Sequence, residues 1–157
     1  MIVYSFEELC HALCEILGVA APALTTSDGT VPAFSFTYKD VSLCLLQAAV
    51  DDAAHGVLMI DYGRLPETRQ MEVLMSLLEA NFMMAGARCP AFSINPISDH
   101  VICQMGFAVA QADPMALCQS LESLVAAVHQ WRDGHCLTPL FEEPVRPGTP
   151  ASREYFG

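Results

Sequence analysis

Between Phe6 and Leu17 apolar residues return every three or four positions. Phe6, Leu9, Cys10, Leu13, Ile16 and Leu17 share one face of a helix, and Glu7, Glu8, His11 and Glu15 lie toward the other. Ser5 and Glu8 have the spacing of a capping box at the helix start, and Gly18 suits the left-handed position just past its end. A loop rich in Ala, Pro, Thr and Ser follows to about Pro32, with Asp28-Gly29 as a turn signal. The period then drops to two. In AFSFTYKDVSLCLLQA, Phe34, Phe36 and Tyr38 alternate with Ser35 and Thr37, Lys39-Asp40 makes a tight turn, and Val41, Leu43 and Leu45 share one face of the returning strand. Asp51 to Gly56 reads as a second turn, and Val57 to Tyr62 as a third strand.

A second helix is predicted from Pro66, a residue suited to a first helical turn, to Ala85, with Gly86 ending it. PAFSIN and HVICQMGF then form a second hairpin around Asn95–Asp99. Asp113-Pro114 opens a third helix as N-cap and first residue. Its apolar stripe is Leu117, Cys118, Leu121, Leu124, Val125, Val128 and Trp131, and Arg132 stands near its C-terminus, where a cation complements the helix dipole. From Gly134 the periodicity stops in a segment with four prolines. The expected organisation is one domain over 1–133 and a Pro-rich tail over 134–157, within which Leu137, Leu140 and Phe141 are the residues able to dock. The element order α-β-β-β-α-β-β-α implies an α+β sandwich, a mixed or antiparallel sheet with helices packed on it.

The second helix is unusual. Met71, Val73, Leu74, Met75, Leu77, Leu78, Phe82 and Met84 leave only a narrow polar stripe of Glu72, Ser76 and Glu79. That exceeds the apolar stripe of about 100° that a surface helix needs. Such a helix is either wholly internal or shared with a second copy of the chain. With three helices available for cover, the two-fold dimer is favoured, with Met71, Leu74, Met75, Leu78 and Phe82 expected at its interface.

Composition narrows the function. Hydrophobic residues make up 53% and charged residues 16%, as in a globular domain with a substantial core. The net charge of −11 argues against nucleic acid and against anionic membrane surfaces, and favours basic partners. No run approaches the ~20 apolar residues of a membrane span, and the N-terminus lacks the basic region of a secretory signal. The seven cysteines are scattered and never spaced as C-x-x-C, which fits small hydrophobes in a reducing cytosol.

The search for catalytic motifs is negative. The single lysine, Lys39, follows Tyr38, so there is no P-loop; G-x-G, H-E-x-x-H and G-x-S-x-G are also missing. Cys10 and Cys14 share a helix side as two metal ligands would, but no second pair has ligand spacing and both fit the apolar stripe. Ser98-Asp99-His100 places three triad residue types side by side in a turn, where turn chemistry is the better account. The eight methionines serve either as core filler or as an adaptable binding surface. No cofactor or metal is expected.

The segment LMSLLEANFMMAGARCPAFSINPISDHVICQMGF, followed by LCQSLESLVAAVHQWRD, resembles class I type III secretion chaperones of the Tir-chaperone (CesT-like) family. The features that carry the likeness are Leu77, Leu78 and Asn81, then Asn95-Pro96, the strand from Val101 to Phe107, and Trp131-Arg132. FEELCHALCEILG looks like the family's first helix, and the resemblance covers about Phe6 to Arg132. It implies a small acidic homodimer in the bacterial cytosol. Such a protein would bind the N-terminal, nonglobular region of one or a few secreted effectors, hold it extended without ATP, and deal with components of the secretion apparatus. Effector segments would dock on patches made by the first helix and the sheet, here Leu13, Leu17, Phe34, Phe36, Leu43 and Leu45, and add a strand to a sheet edge. The tail departs from the family pattern. The alternatives are a regulator or adaptor of the same fold that binds a folded partner and, third, a small enzyme, which no motif supports.

Overall fold

The computed structural model describes residues 5–25, 31–50, 53–85 and 89–137. The expected turn at Asp28-Gly29, Asp51 and Asp52, Gly86, and the tail beyond Leu137 lie outside the described residues.

Helix α1 (Phe6–Leu17) forms where the periodicity places it. The Ser5 hydroxyl accepts from the Glu8 amide at 3.3 Å, and the Glu8 carboxylate accepts from the Ser5 amide at 2.8 Å, closing the capping box. Those bonds hold the Glu8 carboxyl below its ordinary value. Gly18 ends the helix at φ 67°. The inward face is Phe6, Leu9, Cys10, Leu13 and Cys14; Ile16 turns out to be exposed.

Strands β1 (Ala33–Tyr38) and β2 (Val41–Val50) pair antiparallel around Lys39 and Asp40, both at positive φ, as a two-residue type I′ turn requires. Strand β3 (Ala53–Arg64) is longer than the expected Val57 to Tyr62, because 53–56 continues the ladder against 47–50 instead of forming a wide turn. Strands β4 (Ala91–Ile94) and β5 (His100–Ala108) complete one antiparallel sheet in the order β1-β2-β3-β5-β4. Gly56 faces Phe107 across the β3–β5 ladder, and a Cβ at 56 would overlap the Phe107 ring. The turn between β4 and β5 uses Asn95, whose side-chain oxygen accepts from the Ile97 amide at 3.0 Å, and Asp99 at φ 58°. Ser98, Asp99 and His100 therefore serve the turn.

Helix α2 (Gln70–Met83) begins four residues later than Pro66 suggests. Arg69 adopts φ 63°, which no continuing helix tolerates, and no side chain caps the first turn. Arg69 instead grips Glu72 through two bonds of 2.9 and 2.6 Å, placing a carboxylate at the positive helix end. After a 3₁₀ turn (Val109–Gln111), helix α3 (Pro114–Gly134) opens with Asp113 accepting from the Met115 and Ala116 amides. All seven residues of its expected stripe are buried.

Helices α1 and α3 lie side by side over one face of the sheet. Val41, Leu43 and Leu45 of β2, Leu58, Ile60 and Tyr62 of β3, and Val101 and Cys103 of β5 point into the core beneath them. A chain of edge-to-face rings ties the elements at one end: Phe92 to Tyr62 at 5.3 Å, Tyr62 to Trp131 at 5.7 Å, and Trp131 to His135 at 4.7 Å. At the same end Arg132 donates to three backbone carbonyls: Tyr62 and Asp61, each at 2.9 Å, and Asp40 at 3.0 Å. His129 adds a bond to the Lys39 carbonyl at 2.9 Å. The Arg132 contacts at Asp61 and Tyr62 coincide with a β-bulge, where Gly63 sits at φ 102° and donates to the Asp61 carboxylate at 2.8 Å. Arg132 is thus more than a helix-dipole cation: it clamps the β1–β2 turn and the β3 bulge to the end of α3.

Arg132→Ala strands those carbonyls, two of them in a part-buried setting, and should destabilise the fold by roughly 2–4 kcal/mol. Urea unfolding with an unchanged m-value checks this. A loss under about 0.5 kcal/mol would show that water replaces the guanidinium without cost.

Candidate functional site

The outward side of α2 carries five of the ten large hydrophobic side chains that stand exposed among the described residues. The helix rests on the sheet through Val73 and Leu77, which are buried, and leans on β4. Met71, Met75, Leu78 and Phe82 recur at i, i+4, i+7 and i+11 and are 72%, 50%, 62% and 68% exposed. Met83 beside them is also exposed, and Leu74 is half-buried at the margin. The rise of 1.5 Å per residue makes this stripe about 16 Å long. Exposed patches of this kind mark interaction surfaces in soluble proteins.

The second feature is the sheet face opposite α1 and α3. Ser35 and Thr37 of β1, Ser42 and Cys44 of β2, Met59 and Asp61 of β3, Ile102 of β5 and Ser93 of β4 point that way. Among the described residues no helix lines this face, and these side chains border an open groove of about 650 Å³ that extends to Asn95 and Pro96. Its lining mixes the apolar side chains of Met59, Ile94 and Ile102 with the hydroxyls of Ser35, Thr37, Ser42 and Ser93. At one end His100 Nδ1 lies within hydrogen-bond distance of the Asp61 carboxylate, at 2.8 Å, with both residues half-buried.

The six residues expected to meet an effector fall into two groups. Leu13, Phe34, Leu43 and Leu45 come together, but inside the core under α1 and α3. Leu17 and Phe36 are half-buried at its margin, Phe36 with its ring 6.3 Å from that of Phe34. The alternation of β2 sends Leu43 and Leu45 inward and leaves Ser42 and Cys44 on the open face. Sequence reasoning passed over Met59, Ile102 and Ser93. Their signal was available in the period-two pattern, but it becomes readable only when the covered face is known.

The profile of the Tir chaperone protein (CesT) family matches residues 9–132, most of the chain. The chain belongs to the Tir chaperone (CesT) family. The fold agrees. The crystal structure of the ExsC-ExsE complex superposes with a TM-score of 0.61 at 15% identity, over 82% of this chain and 91% of that one. The structure of the HopA1-SchA chaperone-effector complex gives 0.57 at 14% identity, over 82% and 94%. At these identities the likeness is one of fold. No curated protein sequence matches the chain.

In this CesT-family chain the match ends at Arg132, the residue that clamps α3 to the sheet. Four of the seven cysteines are core residues. Cys10, Cys14, Cys103 and Cys118 are buried, and Cys89 and Cys136 are exposed. Burial pushes the thiols of Cys10 and Cys103 up to about 12, so neither offers the thiolate that a metal needs. Among the described residues no three His, Cys, Asp or Glu side chains gather to hold a metal ion, and no helix is long and apolar enough to cross a membrane.

A maleimide at neutral pH should therefore modify the exposed Cys89 and Cys136 first. Cys10 and Cys103 should react at least about a thousandfold more slowly, through unfolding alone. Peptide mapping of a time course reads this, and early labelling of Cys10 would contradict the core placement.

Proposed function

We propose that this chain is a type III secretion chaperone: a homodimer in the bacterial cytosol that binds the N-terminal, nonglobular region of a secreted effector and holds it extended without ATP. The observation that carries this reading is the family match over residues 9–132. Two features of the surface support it. The first is the outward stripe of α2, which in this reading crosses its symmetry mate through Met71, Met75, Leu78 and Phe82, with Leu74 at the margin. Burying these four large side chains contributes on the order of 6–12 kcal/mol before the costs of association. The second is the margin of the sheet beside α1, where Phe36 and Leu17 offer apolar contacts over a floor made by Leu13, Phe34, Leu43 and Leu45. Ordering an extended segment costs about 2–5 kcal/mol, so the client needs several such anchors. The net charge of −11 suits a basic client segment. Both superposed structures are complexes with a second protein, and the HopA1-SchA partner is an effector by its description. Handing the client to the secretion apparatus belongs to the same reading.

Size-exclusion with light scattering at micromolar concentration should give a dimer. Leu78→Asp and Phe82→Asp should each weaken it by about 100-fold or more, from the loss of a buried apolar side chain and the burial of a charge. A monomeric wild type would remove the α2 interface.

Phe36→Asp should lower co-purification of a secreted protein encoded beside this chain by about tenfold or more while the fold persists by circular dichroism. Undiminished binding would take Phe36 out of the site. Protection from protease confined to a folded domain of that partner would favour an adaptor instead. Leu43→Asp is not a binding probe, since Leu43 is a core residue and a charge there tests folding.

A further inference from the structure

Across β2 and β3, Cys44 stands directly opposite Met59, and Leu46 opposite Val57; all four are half-buried. They lie on the sheet face turned away from α1 and α3, where no helix lines the groove among the described residues. Beside them Ser35, Thr37 and Ser42 are exposed, and their hydroxyls have no hydrogen-bond partner among the described residues. Apolar side chains bordered by unpaired hydroxyl donors suit a segment that brings large apolar groups and backbone acceptors together.

The chain itself carries such a segment. The family match ends at Arg132, and the next residues stay in contact with the domain: the His135 ring packs 4.7 Å from that of Trp131, and Leu137 packs against the core. Arg132 fixes where this continuation starts. It donates to the carbonyls of Asp40 and Asp61 at 3.0 and 2.9 Å, at the end of the sheet where Thr37, Ser42 and Asp61 open the groove. Packed layers lie about 10 Å apart, a distance that three extended residues cover at roughly 3.3 Å each. The third and fourth residues after Leu137 are Leu140 and Phe141. They are therefore the first large apolar side chains able to come round the end of the sheet.

Two further properties of residues 138–157 fit a face better than an edge. Pro139, Pro144, Pro147 and Pro150 lack an N–H, so the segment is a poor partner for a strand, whereas its carbonyls still accept. With three acidic and two basic side chains it is nearly neutral, and the acidic domain does not strongly repel it.

We propose that the tail lies across the open face of its own sheet, with Leu140 and Phe141 on Cys44 and Met59 and the hydroxyls of Ser35, Thr37 and Ser42 donating to its carbonyls. The tail is then a strap held in cis, and a ligand for this face has to displace it. This goes beyond the client-binding reading, which uses the margin beside α1, and stands without it. The tether is what makes the contact effective. A segment joined to the domain by a few residues meets the sheet at an effective concentration in roughly the millimolar range, so a contact too weak to hold a free peptide still holds the tail.

Cys44 is a native probe of the occupied face, and the full chain is the sample. Maleimide labelling followed by peptide mapping should find Cys44 reacting about tenfold or more faster in the Leu140→Asp/Phe141→Asp double variant than in the unmodified chain, with Cys10 protected in both. Equal Cys44 rates overturn the strap. So does a Cys44 rate in the unmodified chain that falls as protein concentration rises about a hundredfold, because the occupant is then a second copy. A photoreactive benzoylphenylalanine placed at position 141 gives a measurement without added charge. It should crosslink within one chain, to peptides carrying Ser42, Cys44 or Met59. Crosslinks to α2 or between two chains overturn the assignment.

Discussion

A five-stranded sheet has two faces, and this chain supplies helices for one of them. The buried residues of β2, β3 and β5 share one core with α1 and α3, and the packing of Leu9, Leu13, Leu121, Val125 and Val128 with Leu43, Leu45, Leu58 and Ile60 is the contact on which the remainder depends. Once that face is filled, period two leaves no choice about the other. Ser42, Cys44, Met59 and Ile102 must face away, and the groove they line follows from the core opposite it. Arg132 keeps the arrangement in register. It joins α3 to the carbonyls of Asp40, Asp61 and Tyr62, so the first hairpin and the β3 bulge cannot shift independently of the helix that covers them.

Local chemistry was legible wherever one short stretch decided the outcome. The capping box at Ser5 and Glu8, the left-handed Gly18, the Asp113-Pro114 start and the seven-residue stripe of α3 all depend on neighbours within one or two turns, and all stand in the structure. The Lys39-Asp40 turn belongs with them. Where distant partners decide, the sequence was silent. Nothing near Leu43 says whether its face meets α1 or water; that is settled by β1, β3 and two helices together. The start of α2 was misplaced because Pro66 fits a first helical turn by propensity alone, whereas the left-handed Arg69 and its grip on Glu72 set the helix later. The role of Arg132 was invisible for the same reason: its carbonyl partners lie at least 70 residues away in the chain.

The α2 sequence shows how a correct pattern still underdetermines structure. Its apolar residues surround nearly the whole helix, and yet only Val73 and Leu77 are buried. The seam toward the sheet is narrow because β4, the strand it leans on, is four residues long. A short strand cannot cover a four-turn helix, so the surplus apolar residues are turned outward, in a stripe at i, i+4, i+7 and i+11. The spacing is that of a helix made to meet another helix along its length.

The same helix also bears on the sheet edges. An unblunted β4 would leave a row of backbone donors and acceptors next to an exposed apolar stripe, a combination that invites indiscriminate strand pairing. Proline cannot stand at position 92 itself, because the Phe92 ring is needed against Tyr62, and its outward backbone groups therefore need a partner. The Asn81 carboxamide resolves the conflict: it satisfies both backbone groups of Phe92 from α2 and leaves the ring free to face the core. Asn81 stands three residues after Leu78 and one before Phe82, so the helix that carries the apolar stripe on one side carries the edge closure on another. Position along the sheet then separates two kinds of contact. Side-chain contact is available at α2, beside the closed edge. Backbone contact is available at β1, the opposite edge of the sheet from β4, where the outward groups of Ser35 and Thr37 have no backbone partner among the described residues.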